Sequence, residues 1–237
     1  MIEIKNLTKS FGKLTAVNDV SFNINDNECY ALLGLNGAGK TTLIRMLSTD
    51  TKATSGTAII NGYNLTENKN EIRKIINISP QESAIAKNLT VKENLKLIAS
   101  LYDIENADKK IETLLLEFGL KEKENALARK LSGGQQRRVS IALAILTEPK
   151  ILFLDEPTLG LDVKARKLLW KEISKLKSKM TIILTTHYLE EVENLADKVA
   201  IISKGKIKAI GTVSEIKKQS DSKSLEDAFI KLSEENE

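Results

Sequence analysis

Short apolar runs recur along the chain, separated by polar, glycine and asparagine clusters. "SFNI", "CYALLG", "TAIING", "KIINIS", "KILFLDE", "MTIILTTH", "KVAIIS" and "KIKAIG" have the length and composition of strands. "CYALL", "ILFL" and "TIILT" are continuous rather than alternating, which predicts strands covered on both faces of a parallel sheet. "SFNINDNECYALL" predicts an antiparallel pair turning at "DN". "VAIISKGKIKAIG" predicts a second hairpin, turning at Lys204 and Gly205.

From about Leu89 to Leu146 the period becomes helical. Thr90 and Glu93 have capping-box spacing, followed by Leu95, Ile98 and Tyr102 on one face. Ile111, Leu114, Leu115 and Phe118 form a second stripe, closed by Gly119. A third helix is expected after Gly134, with Pro149 ending it. The pattern is that of an α/β core with a helical insertion. "SLEDAFIKLSEENE" predicts a short amphipathic helix running into a frayed acidic terminus.

Composition narrows the class. The 237 residues suffice for one sizeable core, and a formal net charge of +4 argues against a dedicated nucleic-acid binder. The single cysteine, Cys29, allows no internal disulfide, reads as a small buried hydrophobe and suits a reducing compartment. The amino terminus shows no secretory h-region, and no apolar run approaches the ~20 residues of a membrane span.

The first candidate chemistry lies in "LLGLNGAGKTTLIRML". Gly34, Gly39, Lys40 and Thr41 stand in the order G-x-x-x-x-G-K-T, after a strand and before a helical stripe of Leu43, Met46 and Leu47. That setting predicts a phosphate-binding loop. Its glycines let backbone N–H groups curl around a phosphate, and the helix N-terminus adds partial positive charge. Lys40 supplies a point charge, and the Thr41 hydroxyl suits Mg²⁺.

"KILFLDEP" ends a buried strand with Asp155 and Glu156, at the edge where open α/β sheets bind ligands. Asp155 suits Mg²⁺ coordination, and Glu156 suits orienting or deprotonating a water. Gln81, after "KIINIS", is placed to reach both metal and water. His187, the only histidine, is placed to bond a γ-phosphate. "LSGGQ" puts Gly133 and Gly134 in the first turn of a helix, each costing roughly 0.5–1 kcal/mol relative to alanine in a helix interior. Ser132 and Gln135 read as a capping box, which leaves the glycines unexplained unless something approaches that backbone closely.

Taken together, these stretches closely resemble the nucleotide-binding subunits of ATP-binding cassette (ABC) transporters. "GLNGAGKTT" matches the Walker A loop, Gln81 in "SPQE" the Q-loop, "LSGGQ" the signature and "ILFLDE" the Walker B strand. "LGLD" matches the D-loop and "TTH" the H-loop, all in that family's order. The resemblance runs from about Ile2 to Thr212. It implies an α/β fold with a P-loop NTPase (RecA-like) core, a mainly parallel sheet, an antiparallel β subdomain and an inserted α-helical subdomain. Residues 1–216 would form the ATPase domain, with core and β subdomain at 1–86 and 147–216, the helical subdomain at 87–146 and a helical tail at 217–237.

The resemblance further implies ATP and Mg²⁺ as ligands. Gly34, Leu35, Asn36, Gly37, Ala38, Gly39, Lys40, Thr41 and Thr42 would surround the phosphates, with Phe11 stacking on adenine in place of a commoner tyrosine. Thr41, Gln81 and Asp155 would hold the metal, with Glu156, His187 and Gln81 catalytic. Two copies, identical or homologous, would pack head to tail with ATP between one P-loop and the other's Ser132, Gly133, Gly134 and Gln135. Asp162 would couple the two sites. Tyr188 stands where many importers carry aspartate, and the end of the chain is most similar to drug, polysaccharide or ion exporters. The implied setting is the cytoplasmic face of the membrane, beside a separate permease subunit and without nucleic acid. A soluble ABC ATPase acting on ribosomes or DNA is the alternative, weakened by the single cassette. A P-loop GTPase or kinase is disfavoured by "LSGGQ" and by the lack of an "NKxD" motif.

Overall fold

The computed structural model describes residues 1–234, so the frayed acidic end expected at 235–237 lies outside the described residues. The chain runs β1 (Ile2–Phe11), β2 (Leu14–Ile24), β3 (Cys29–Leu33), α1 (Lys40–Leu47), β4 (Ser55–Ile60) and β5 (Tyr63–Asn64). It continues α2 (Lys69–Ile75), β6 (Ile76–Ser79), α3 (Val91–Leu101), α4 (Ala107–Glu117), α5 (Gly133–Ile145) and β7 (Ile151–Asp155). It ends α6 (Val163–Leu176), β8 (Thr181–Thr186), α7 (Leu189–Leu195), β9 (Lys198–Ser203), β10 (Lys206–Gly211), α8 (Val213–Gln219) and α9 (Leu225–Glu234).

Two sheets form. One has six strands in the order β10-β9-β3-β8-β7-β6, parallel except for β10; the other has four antiparallel strands in the order β2-β1-β4-β5. The continuous apolar runs follow from this layering. Along β3, Cys29, Ala31 and Leu33 face a core shared with α3–α9, while Tyr30 and Leu32 face a second core beneath the antiparallel sheet and α1. Leu152 and Leu154 against Ile151 and Phe153 repeat the division on β7. Each face needs apolar residues, so no polar alternation survives. Burial pushes the Cys29 thiol up to about 12, as suits an inert core residue.

The hairpin at Lys204 and Gly205 forms as expected, with φ of 49° and 77°. The pairing expected across "DN" does not. β2 pairs with β1, while both edges of β3 are taken by β8 and β9. The Asp26–Asn27 turn instead carries the chain from one sheet to the other, tied down by Asn27 N–H donating to Thr181 Oγ1 at 3.0 Å.

In the helical insertion, Thr90 and Glu93 form the capping box, and Leu95, Ile111, Leu114, Leu115 and Phe118 are buried. Tyr102 is not part of that face: it ends α3 and is 61 % exposed. The third helix starts at Gly133, with Ser132 as its cap. The 216/217 boundary drawn from the sequence passes through α8. Among the described residues, no helix is long and apolar enough to cross a membrane.

Candidate functional site

In a parallel sheet every strand's carboxyl end lies on one edge, so topology alone gathers the loop after β3, the Gln81 segment after β6, Asp155 and Glu156 after β7, and His187 after β8. A groove of about 460 Å³ opens there, lined by Phe11, Ala16, Asn36 to Thr42, Gln81, Glu156 and His187.

The loop from Gly34 to Gly39 wraps the start of α1, which has no side-chain cap. Its glycines are sterically required at two points. Gly34 lies so close to β9 that a Cβ would come 2.4 Å from the Ile202 carbonyl oxygen. Gly39 has φ +104°, and a Cβ there would come 2.3 Å from the Ala16 carbonyl oxygen. The loop is thus pinned between both sheets, with its N–H groups directed by backbone packing. Leu35 departs from its neighbours. Its side chain is exposed and lies on the far side of the loop with Ile202 and Phe229, and only its carbonyl reaches inward.

Lys40 is buried, and its ammonium donates to Gly34 O at 2.7 Å and Leu35 O at 3.2 Å while pairing with Glu156 Oε1 at 3.1 Å. Glu156 Oε2 meets His187 Nδ1 at 2.9 Å. Glu156 takes the left-handed conformation at φ +48°, the strained backbone that clusters at functional sites. Its N–H donates to Thr185 O at 3.1 Å and Thr185 Oγ1 at 3.0 Å. Asp155 Oδ1 accepts from Thr41 Oγ1 at 3.1 Å and Thr185 Oγ1 at 2.5 Å.

This donor set fits a magnesium ion. Mg²⁺ keeps several waters and takes one or two carboxylates together with substrate phosphates rather than a full protein cage. Thr41 and Asp155 are already in contact and Gln81 lines the groove, while the described residues contain no cluster of three acidic, histidine or cysteine ligands. Phe11 is 52 % exposed at the groove wall, with the Lys9 ammonium 4.8 Å from its ring centroid.

The structure does not bring the "LSGGQ" segment to this groove. Ser132 Oγ accepts from Gln135 N–H at 3.3 Å and Gln135 Oε1 accepts from Ser132 N–H at 2.9 Å, so the capping box is complete and exposed. Gly134 has one internal reason: a Cβ there would come 3.0 Å from Ala165 Cβ. Among the described residues, a Cβ on Gly133 would meet only Leu161 at 4.0 Å, so their packing does not demand a glycine there. Asp162 caps α6, accepting from Ala165 N–H at 2.9 Å.

Arg137 was not among the expected site residues. It is buried, and its guanidinium donates to Pro157 O and Asp155 O at 2.9 Å each, to Gln81 O at 3.5 Å and to Pro80 O. One fork on the "LSGGQ" helix thus fastens the segments carrying Gln81, Asp155 and Glu156. Burial lowers its pKa to about 10, so it stays charged near neutral pH. "QQRR" looks like a solvated basic stretch, and only the packing of α5 distinguishes Arg137 from Arg138. Arg137→Met should cost about 2–4 kcal/mol in urea unfolding at pH 7, because several buried carbonyls lose their donor. Arg137→Lys should recover less than half of that, since an ammonium lacks the planar fork.

Comparison with known proteins shows the family. Residues 17–159 match the family model for ABC transporters. The linearmycin resistance ATP-binding protein LnrL of Bacillus subtilis is 37% identical over 91% of this chain and 70% of its own length. The human phospholipid-transporting ATPase ABCA3 is 38% identical over 89% of this chain, and ABC transporter A family member 6 of Dictyostelium discoideum is 44% identical over 89%. This chain spans only 13% of the length of each of those two. A solved ATP-binding subunit of an ABC transporter superposes with TM-score 0.87 at 32% identity, covering 98% of this chain and 99% of that one. A dimeric ATP-binding cassette in a post-hydrolysis state, bound to ADP and phosphate, superposes with TM-score 0.79 at 27% identity, covering 90% and 98%. The chain belongs to the ABC transporter family, of which it is an ATP-binding cassette, an ATPase.

Proposed function

We propose that this chain is the ATP-hydrolysing subunit of an exporter, working as an ATP-driven head-to-tail dimer beside a separate membrane subunit at the cytoplasmic face. The observation that carries the reading is the division of the site. The groove assembles the P-loop, Glu156, Gln81 and His187, with Asp155 bonded to Thr41 beside it, whereas the exposed cap at Ser132 and the bare Gly133 lie outside it. A second copy, identical or homologous, would supply that missing half, with its Ser132 hydroxyl and Gly134 N–H on the γ-phosphate and its Asp162 alongside. LnrL is named as a resistance protein and ABCA3 as a phospholipid-transporting ATPase, and both names support a role in transport.

In this reading the loop N–H groups and Lys40 bind the β- and γ-phosphates, and Phe11 stacks on the base. Thr41, Asp155 and Gln81 would hold Mg²⁺, which supplies charge neutralisation at the phosphates when bound. Lys40 exchanges protein acceptors for phosphate oxygens, which frees Glu156 Oε1 to take a proton from the attacking water. His187, held through Nδ1 by Glu156, presents its other ring nitrogen to the γ-phosphate. Charge-assisted hydrogen bonds contribute roughly 1.5–3 kcal/mol each, so two per site over two sites give about 6–12 kcal/mol. Shifting a population from 1:99 to 99:1 needs about 5.5 kcal/mol, so loss of the γ-phosphate suffices to reopen the dimer.

The test is dilution. Turnover per subunit should fall as protein concentration drops below the dimer constant. Ser132→Ala should weaken ATP-dependent dimerisation by about a hundredfold or more while each monomer still binds ATP. Full-rate hydrolysis by a strictly monomeric Ser132→Ala preparation would overturn the reading.

A further inference from the structure

Near the Glu156–His187 contact, among the described residues, three buried side-chain atoms lack a hydrogen-bond partner: Glu191 Oε2, Thr158 Oγ1 and Arg166 Nε. Glu191, on α7 one helical turn past His187, is wholly buried. Its Oε1 accepts from Trp170 Nε1 of α6 at 3.2 Å, and its Oε2 has no hydrogen-bond partner among the described residues. Thr158 Oγ1 is likewise buried without a partner. The hydroxyls of Thr158 and Thr186 nevertheless adjoin the Glu191 carboxyl. Thr158 lies two residues past Glu156. Thr186 immediately precedes His187, and its Oγ1 accepts from Tyr188 N–H at 2.9 Å.

An ionised carboxylate at this depth needs several donors. A hydrogen bond between Glu191 Oε2 and the Thr158 hydroxyl removes these two orphans at once, whichever of the two carries the proton. We propose that Glu191 is a positioning residue of the hydrolytic site, a buried carboxyl group that ties the turn behind Glu156 to the strand end bearing His187 and to α6. Its surroundings agree. Burial raises its pKa above the usual carboxylate range, and the nearby negative charge of Glu156 adds to that. Arg137 of α5 is the opposing positive charge. Arg166 of α6 lies over the Trp170 and Tyr188 rings, at 6.0 and 5.4 Å, and pairs with exposed Glu190 at 3.7 Å. From β3, the buried Cys29 thiol is within electrostatic reach of Glu191. Glu191 does not line the groove, so it acts through the placement of Glu156 and His187. The proposal rests on the roles given to those two residues.

The test compares four variants for kcat, KM, ATP affinity and unfolding midpoint. Thr158→Val keeps the shape and removes the hydroxyl, and should lower kcat roughly tenfold at unchanged KM and ATP affinity. Glu191→Leu should lower kcat at least as far. Glu191→Gln should restore most of that loss, because its amide donates to Thr158 while its oxygen accepts from Trp170. The Glu191→Gln, Thr158→Val double variant should be no slower than Thr158→Val alone. Glu191→Gln as impaired as Glu191→Leu, or Thr158→Val at wild-type kcat, would overturn the proposal. The Gln and Val variants decide it even where Leu fails to fold. A Glu156→Gln control that still turns over would instead overturn the assignment of the base.

Discussion

Glu156→Gln is expected to bind ATP as well as the wild type, to dimerise on it and to hydrolyse it at least about 10²-fold more slowly. The geometry gives the reason. The amide keeps the carboxylate's shape and can still accept from Lys40 and meet His187 across the contacts now at 3.1 and 2.9 Å. It cannot take a proton from water at neutral pH. It also removes a negative charge that otherwise faces the γ-phosphate, so ATP binding has no cause to weaken. The dimer, held by the γ-phosphate, should then persist for lack of the step that destroys it. Single-turnover hydrolysis with size-exclusion chromatography in ATP and Mg²⁺ reads both effects. Steady-state turnover within twofold of wild type would remove Glu156 from the base role.

Much of this site was legible from local sequence because its chemistry is carried by short stretches. The P-loop, the Asp155–Glu156 pair and His187 each end or follow an apolar run, and a parallel sheet places all such ends on one edge. What sequence could not show is what the tertiary fold decides. The β2–β3 pairing failed because strand partners compete, and β3 is satisfied on both edges by strands more than 150 positions later. β1 escaped detection because its alternation breaks. Ile2, Ile4 and Leu7 face the core, but the register shifts between Ile4 and Leu7, where Asn6 has φ 49°. Arg137 and Glu191 look like members of charged surface stretches, and their burial follows from how α5 and α7 pack. Gly133 and Gly134 carried a sequence signal without its cause, and the structure separates them: Ala165 accounts for Gly134, and nothing among the described residues accounts for Gly133.

Lys40→Met is the variant expected to do most damage, and it acts twice. On the ligand side it removes the one ammonium in the loop, a charge-assisted contact of roughly 1.5–3 kcal/mol, so ATP affinity should fall by about 10- to 100-fold. On the folding side it strands Glu156. Lys40 and Glu156 have side chains only 6% and 7% exposed, so the pair is shielded from water. Breaking one partner of such a pair costs about 3–5 kcal/mol, since the remaining charge stays buried. For a domain of this size that corresponds to a fall in Tm on the order of 10 °C. The double variant Lys40→Met, Glu156→Gln separates the two effects. With both charges gone, most of the lost Tm should return, while ATP affinity stays low and turnover stays absent. Calorimetry and equilibrium ATP binding on the three variants give the complete cycle. Additive losses in Tm would show that the two side chains do not form a coupled pair in solution, and the exchange of Lys40 from Glu156 to phosphate would then have no basis.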